Sequence, residues 1–183
     1  MSAAVLHWAS GSFYEARVLA NDATSQPAEA IRTLRAGLTF LGTADERGSF
    51  LVTSAVPGEG KSWITANLAL SFATQGDRTL LIDADMRRPV QPQVFGYEKD
   101  RKGLSDHLSL NVPIKELLVK TEVSENLFLL PAGSRSANPS ELLAGKSLPL
   151  LLQQLNKYFD RVLIDSAPLV PVSDSLPLAK QVQ

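Results

Sequence analysis

The sequence predicts an α/β domain: a parallel β-sheet with helices packed on both faces. Three observations carry that expectation. Four short apolar runs, at 50–53, 79–83, 127–130 and 162–165, show no apolar/polar alternation, so both of their faces must be buried. Segments with helical apolar spacing separate them, as the crossovers of parallel strands require. Two runs end in an acid and the first runs into a glycine-rich turn. That places polar chemistry at the carboxyl ends of the strands, where open α/β sheets bind ligands. A length of 183 residues, 44% hydrophobic and 20% charged, suits one globular domain with its own core.

Residues 1–24 read as a loosely structured N-terminal extension, polar and broken by Gly11, Ser12, Asn21 and Asp22; the domain proper runs over 25–183. From 27 to 41, Ile31, Leu34, Leu38 and Leu41 recur at three- and four-residue steps, which predicts an amphipathic helix. A polar loop over 43–48 leads to a strand at 50–54. The helix at 62–74 is closed by Gly76. After the strand at 79–83 comes a polar connection, 86–103, with Pro89 and Pro92. Helices are expected at 105–110 and 114–121, a strand at 127–130, helices at 139–143 and 148–158, and a strand at 162–165.

The first strand turns through Ala55-Val-Pro-Gly-Glu-Gly-Lys-Ser62, a phosphate-binding P-loop of the Walker A kind. Pro57, Gly58, Glu59, Gly60, Lys61 and Ser62 are the expected nucleotide-binding residues. Gly58 and Gly60 let backbone N–H groups turn inward around phosphate oxygens, Lys61 reaches the β- and γ-phosphates, and the Ser62 hydroxyl ligates Mg²⁺. The following helix adds its positive dipole end. Ala55 stands where the strict pattern has glycine, and smallness is what that turn chiefly requires. The competing account is a glycine-rich strand–helix turn with a chance Lys-Ser.

Asp83-Ala-Asp85-Met-Arg87 follows the second strand. In extended chain, residues two apart face the same way, so Asp83, Asp85 and Arg87 point at one site. Asp165-Ser-Ala-Pro168 has the pattern of a Walker B acid. With an anionic nucleotide and Mg²⁺ present, these carboxylates face a cation rather than one another. Two blander accounts compete. Asp83 sits where a dinucleotide-binding fold has its ribose acid, but Trp63 fills that motif's third glycine position. Asp165 alone also reads as a strand-terminal turn acid. Ser166 rather than a second acid follows Asp165, which argues against a motor ATPase and leaves the proton acceptor at Asp83 or Asp85.

A net charge of −1 gives no global argument for nucleic acid or an anionic membrane. The absence of cysteine excludes disulfides, thiolate nucleophiles and cysteine zinc sites, and allows a cytoplasmic setting. His7 and His107 lie far apart in the chain, no apolar run spans a bilayer, and residues 1–8 lack the features of a signal peptide.

Taken in order, Ala55–Ser62, Leu80-Leu-Ile-Asp-Ala-Asp-Met-Arg-Arg-Pro89 and Val162-Leu-Ile-Asp-Ser-Ala-Pro168 resemble the bacterial tyrosine kinase (BY-kinase) family of exopolysaccharide and capsule chain-length regulators. Ser25 to Arg35, Gly103 to Leu108 and Gly133 to Leu143 are similar to other segments of that family, so the likeness covers 22–183. The resemblance implies a P-loop NTPase-like fold and ATP- and Mg²⁺-dependent autophosphorylation on tyrosine. Lys61 would hold phosphates, Ser62 and Asp165 would bind Mg²⁺, Asp85 would assist the metal, and Asp83 would accept the tyrosine proton. It implies a homo-oligomer through Glu29, Arg32 and Arg35, although spacing alone equally allows a solvated face with intrahelical ion pairs. It also implies an integral membrane polysaccharide co-polymerase as partner, in the same chain or separate, a cytoplasmic position at the inner face of the plasma membrane, and no nucleic acid. Two features depart from the family. Tyr14, Tyr97 and Tyr158 form no cluster, and the family pattern continues past Gln183 with a further strand and an adenine-holding segment, so the domain reads as truncated at its C-terminus. Two alternatives remain. A MinD/ParA-type ATPase shares the fold but has lysine at the P-loop position of Val56. The other is a nucleotide-sensing module without turnover.

Overall fold

The unbroken apolar runs become parallel strands: β1 (Ser49–Val52), β2 (Thr79–Asp83), β4 (Leu127–Leu130) and β5 (Arg161–Asp165). The computed structural model describes residues 18–40 and 48–182; the readings on His7, Tyr14, residues 1–17, Leu41 and the 43–47 loop lie outside the described residues. The sheet runs β1-β5-β2-β4-β3, with a short fifth strand, β3 (Val119–Lys120), at one edge. Register sets Asp83 beside Asp165, and Val52 beside Asp165 on its other flank. The three strands that carry motifs are therefore consecutive neighbours.

Strand residues alternate between two cores, as the pleat demands. Leu80, Ile82, Leu130, Val162 and Ile164 face one core, which is filled by Leu143 of α7 (Pro139–Ala144) and by Leu148, Leu151, Leu152 and Leu155 of α8 (Ser147–Leu155). Leu81, Leu127, Leu129 and Leu163 face the other, against α3 (Lys61–Thr74) and Val94 of α4 (Gln91–Val94). Helix α3 is buried along almost its whole length because α2 (Gln26–Phe40) covers it from outside. A short α1 (Val18–Asn21) packs on α3 as well, through Leu19, whose N–H donates to Asn67 Oδ1 at 3.4 Å. The helices α5 (Leu104–Leu110), α6 (Ile114–Leu117) and α9 (Ser175–Ala179) complete the described elements.

The sheet is mixed rather than wholly parallel. The expected helix at 114–121 ends at Leu117, where Leu118 turns extended, and Val119 and Lys120 pair antiparallel with Leu129 and Phe128. The expected helix at 148–158 ends at Leu155, and its chain turns so that Phe159 enters the core. On α2 the apolar stripe is narrower than its spacing predicts: Ala28 and Ile31 are buried, but Leu34 is 41% exposed. Helix α1 lies in a stretch read as loosely structured, and α4 in one read as a polar connection.

Candidate nucleotide-binding site

The P-loop leaves β1 and enters α3 through two glycines with positive φ, Gly58 at 89° and Gly60 at 90°. No atom would lie within 4 Å of a Cβ at either, so backbone conformation, not crowding, demands glycine there. Glu59 turns back on the loop: its Oε2 accepts the N–H groups of Ala55 at 2.8 Å and Val56 at 3.1 Å. The segment after β5 lies alongside, with the Leu169 N–H donating to Ser54 O at 2.9 Å and the Val170 N–H to Ala55 O at 3.1 Å. Between them opens a cavity of about 550 Å³ whose wall includes Pro57, Gly58, Gly60, Lys61, Ser62 and Asp85.

One ammonium joins the three motifs. Lys61 Nζ donates to Asp85 Oδ2 and to Ser62 Oγ, each at 3.0 Å, and lies 3.7 Å from Asp165 Oδ1. Asp165 is buried, and its Oδ1 has no hydrogen-bond partner. Its other oxygen accepts from Gln91 Nε2 at 2.8 Å. Burial pushes the Asp165 carboxyl up, against the pull of the Lys61 charge, the Ser62 hydroxyl and the Gln91 amide. Asp83 is pushed well up, first by burial and then by the neighbouring Asp165 charge.

Asp83 and Asp85 part company in space. Asp85 lines the cavity. Asp83 lies behind it, fully buried, and is committed to the backbone: Oδ1 accepts the Asp85 N–H at 3.2 Å, and Oδ2 accepts the Val90 and Gln91 N–H groups at 3.0 Å each. Asp83 thus ties down the 85–91 loop, which carries Asp85, Arg87 and Arg88 into the wall of the cavity. Arg87 turns away to Asp174, with Nε 2.6 Å from Oδ2 and Nη2 3.1 Å from Oδ1, a bidentate pair. Ser140 on α7 donates to the same carboxylate. Burial pushes Asp174 up, but the Arg87 and Ser140 hydrogen bonds outweigh it and hold the carboxyl below its usual range.

Two carboxylates, Asp85 and Asp165, share the Lys61 ammonium, and a third, Asp83, is buried behind them at the same end of the sheet. A buried, unbonded Asp165 oxygen, the Asp85 carboxylate and the Ser62 hydroxyl are hard oxygen donors, a set that fits Mg²⁺. No group of three or more His, Asp or Glu side chains among the described residues forms an all-protein metal cage. Mg²⁺ needs none, because it takes one or two carboxylates and fills its shell with water and phosphate oxygens.

Gln91 and Asp174 were not singled out in the sequence. Gln91 lies in a polar connection, and Asp174 is 87 residues from Arg87, so neither carries a local signal. Glu29, Arg32 and Arg35 all lie on α2. Arg32 pairs with Glu29 one helical turn away and with Ala23 O, while Arg35 Nη1 donates to Ser71 O on α3 at 3.0 Å.

A family model for an AAA domain matches residues 52–179. The tyrosine-protein kinase YwqD of Bacillus subtilis is 36% identical over 166 residues, covering 90% of this chain and 69% of that protein. The putative tyrosine-protein kinase EpsB of Ralstonia solanacearum is 41% identical over 152 residues, 82% of this chain, which spans 20% of EpsB. The solved kinase domain of Escherichia coli tyrosine kinase ETK superposes with a TM-score of 0.85 at 28% identity, over 90% of this chain and 64% of that one. A MinC:MinD complex of Aquifex aeolicus is more distant, with a TM-score of 0.58 at 27% identity over 73% of this chain and 52% of that one. The kinase likeness thus outweighs the MinD-type alternative, and the chain belongs to the bacterial tyrosine-protein kinase family, whose P-loop AAA domain it carries.

Proposed function

We propose that this chain is the ATP-dependent catalytic domain of a protein-tyrosine autokinase that regulates exopolysaccharide or capsule synthesis and export. The observation that carries the reading is the convergence of three strand-end motifs on Lys61 Nζ at the start of α3. The backbone of Gly58 to Ser62 cradles the β- and γ-phosphates, Pro57 and Glu59 set the shape of the loop, and Lys61 moves its charge from Asp85 onto phosphate. Ser62, Asp85 and Asp165 would hold Mg²⁺, which would supply charge neutralisation to the transferring phosphoryl group. Of the two candidates for the tyrosine proton, this geometry favours Asp85 because it meets the cavity: its Oδ1 accepts the Arg88 N–H at 3.0 Å, but its Oδ2 is held only by Lys61, whereas Asp83 is fully buried with both oxygens on backbone N–H groups.

The resemblance to chain-length regulators supports three further elements of the reading: an integral membrane polysaccharide co-polymerase as partner, a position at the inner face of the plasma membrane, and a homo-oligomer through Glu29, Arg32 and Arg35. No described helix is long and apolar enough to cross a membrane, so attachment would fall to a partner or to another segment. The test is Lys61→Ala. The variant should lose Mg²⁺–ADP binding in calorimetry; it should also melt earlier, because Asp85 and buried Asp165 lose their counter-charge, so affinities are compared at a temperature where both proteins are folded. Equal affinity in the two proteins would sink the nucleotide reading. Absence of phosphotyrosine after the full-length protein meets ATP would sink the kinase reading while leaving nucleotide binding intact.

A further inference from the structure

Gln91 touches all three motifs of the site. Its backbone N–H donates to Asp83 Oδ2 at 3.0 Å, and its side-chain Nε2 donates both to Asp165 Oδ2 at 2.8 Å and to Ser62 O at 3.0 Å. The side chain is fully buried. Both of its partners are acceptors, so the amide has one admissible orientation, with nitrogen toward the site. Its own oxygen, Oε1, then has no hydrogen-bond partner. A buried orphan acceptor costs stability, and an apolar side chain of the same length would avoid that cost. What the amide contributes is therefore its two donated hydrogen bonds.

We infer that Gln91 is a positioning residue for the metal-binding face of Asp165: its neutral amide holds one carboxylate oxygen so that the other is presented to Mg²⁺. The inference rests on the proposed nucleotide function and adds a residue to it. The two oxygens of Asp165 have different surroundings. Oδ2 is clamped by Gln91, whereas Oδ1 is unbonded and faces Lys61 at 3.7 Å. Without the clamp the carboxylate is free to rotate and turn both oxygens toward the ammonium. The donor is uncharged, so it orients Asp165 without cancelling the charge the metal needs, as a lysine or arginine in its place would. The same amide grips the backbone of Ser62, whose hydroxyl is the second expected ligand, so one side chain sets β5 and the first turn of α3 at a fixed spacing.

Gln91→Met keeps the length and removes both donors. ADP affinity is measured for the full-length wild type and variant, in excess EDTA and across a Mg²⁺ titration, with melting temperature read on the nucleotide-free proteins. The gain in ADP affinity that Mg²⁺ gives should fall about tenfold or more, with a matching rise in the Mg²⁺ needed for half-effect, while metal-free affinity changes by less than about twofold. A merely structural role would lower melting temperature and both affinities together and leave the Mg²⁺ gain unchanged; that result overturns the inference. If Gln91→Met does not fold, Gln91→Asn, which keeps an amide one methylene short of both partners, must show the same selective loss, and an unchanged Mg²⁺ gain in it overturns the inference equally. A full-length wild type with no Mg²⁺-dependent ADP binding removes the proposed function and this role with it. A wild type that binds, matched by its variant, removes only the role of Gln91.

Discussion

Asp83 and Asp165 end neighbouring strands in register, both buried, yet they depend on different partners. Asp83 accepts three backbone N–H groups and so specifies the course of the 85–91 loop. An asparagine there has one accepting oxygen and would turn an NH₂ toward at least one N–H, leaving buried donors unpaired at about 1–3 kcal/mol. Asp165 keeps one oxygen unbonded and adds its charge to the burial that already disfavours ionised Asp83. Asp83→Asn should therefore lower the nucleotide-free melting temperature clearly, whereas Asp165→Asn should leave it unchanged or raise it and abolish the Mg²⁺ dependence of ADP binding. Melts and ADP titrations with and without Mg²⁺ decide this. Two variants that behave alike in both assays would show that the carboxylates do not divide structural and metal roles in this way.

At the scale of elements, the turn after β4 is sewn to the start of α5. Asp106 Oδ2 accepts the N–H groups of Gly103 at 2.8 Å and Ser134 at 3.0 Å, and Oδ1 accepts the Ser134 hydroxyl at 2.6 Å. Gly133 sits inside this stitch with φ +95°, where a Cβ would come within 2.4 Å of Ser105 Oγ and 2.6 Å of Asp106 Oδ2. Gly76, at the end of α3, has φ +101° but open space around it. Gly76→Ala should cost about 1–2 kcal/mol from backbone conformation alone. Gly133→Ala should cost clearly more in the same denaturant titration, because the clash adds to the strain; equal losses would mean that the stitch yields without cost. The stitch also shows what sequence makes legible. Strands β1, β2, β4 and β5 were readable because burial on both faces leaves an unbroken apolar run, and their motifs converge because those strands lie side by side. Strand β3 was not, since its two residues are extended only by pairing with β4. Leu34 fits a helical stripe that nothing in the described structure fully covers. The Gln91 side chain, Asp174 and the Asp106–Ser134 half of the stitch are set by partners 28 to 87 residues away, a distance at which spacing rules say nothing.

For the whole molecule, the shifted carboxylates oppose one another in their effect on stability. Asp106 and Asp174 are held below the usual range: burial raises both, but hydrogen bonds from Ser134 and Gly103 to Asp106, and from Arg87 and Ser140 to Asp174, outweigh it. They stabilise the fold above the ordinary carboxylate pKa, and that contribution is lost as pH falls below it. Asp83 and Asp165 are raised by burial, so they weaken the fold as pH rises from the ordinary value through their folded values. The nucleotide-free melting temperature should thus be higher near about pH 5 than near about pH 7.5 and fall again below about pH 4, and Asp165→Asn should flatten the upper limb. A wild-type profile rising steadily to neutrality would contradict the burial of the pair. Assembly is the remaining question at this scale, and α2 frames it. Glu29 and Arg32 pair on its surface, Leu34 and Phe40 are 41% and 89% exposed, and Arg35 reaches inward to Ser71 O. The two arginines therefore predict different outcomes. Arg32→Ala removes an exposed pair worth under about 1 kcal/mol, so its melting temperature should hardly move. Arg35→Ala also loses a tie between α2 and α3 worth about 0.5–1.5 kcal/mol and should melt slightly earlier. If this charged face is what a second copy binds, both single variants and the double variant of the full-length protein should fall in mass by light scattering, and phosphorylation between subunits should fall with them. Arg suits that contact because its fork grips carboxylate or carbonyl oxygens in pairs. A drop in mass for Arg35→Ala alone, tracking its lost stability, would mean that α2 only braces its own domain; a drop for Arg32→Ala, with stability intact, is the result that an intermolecular face requires.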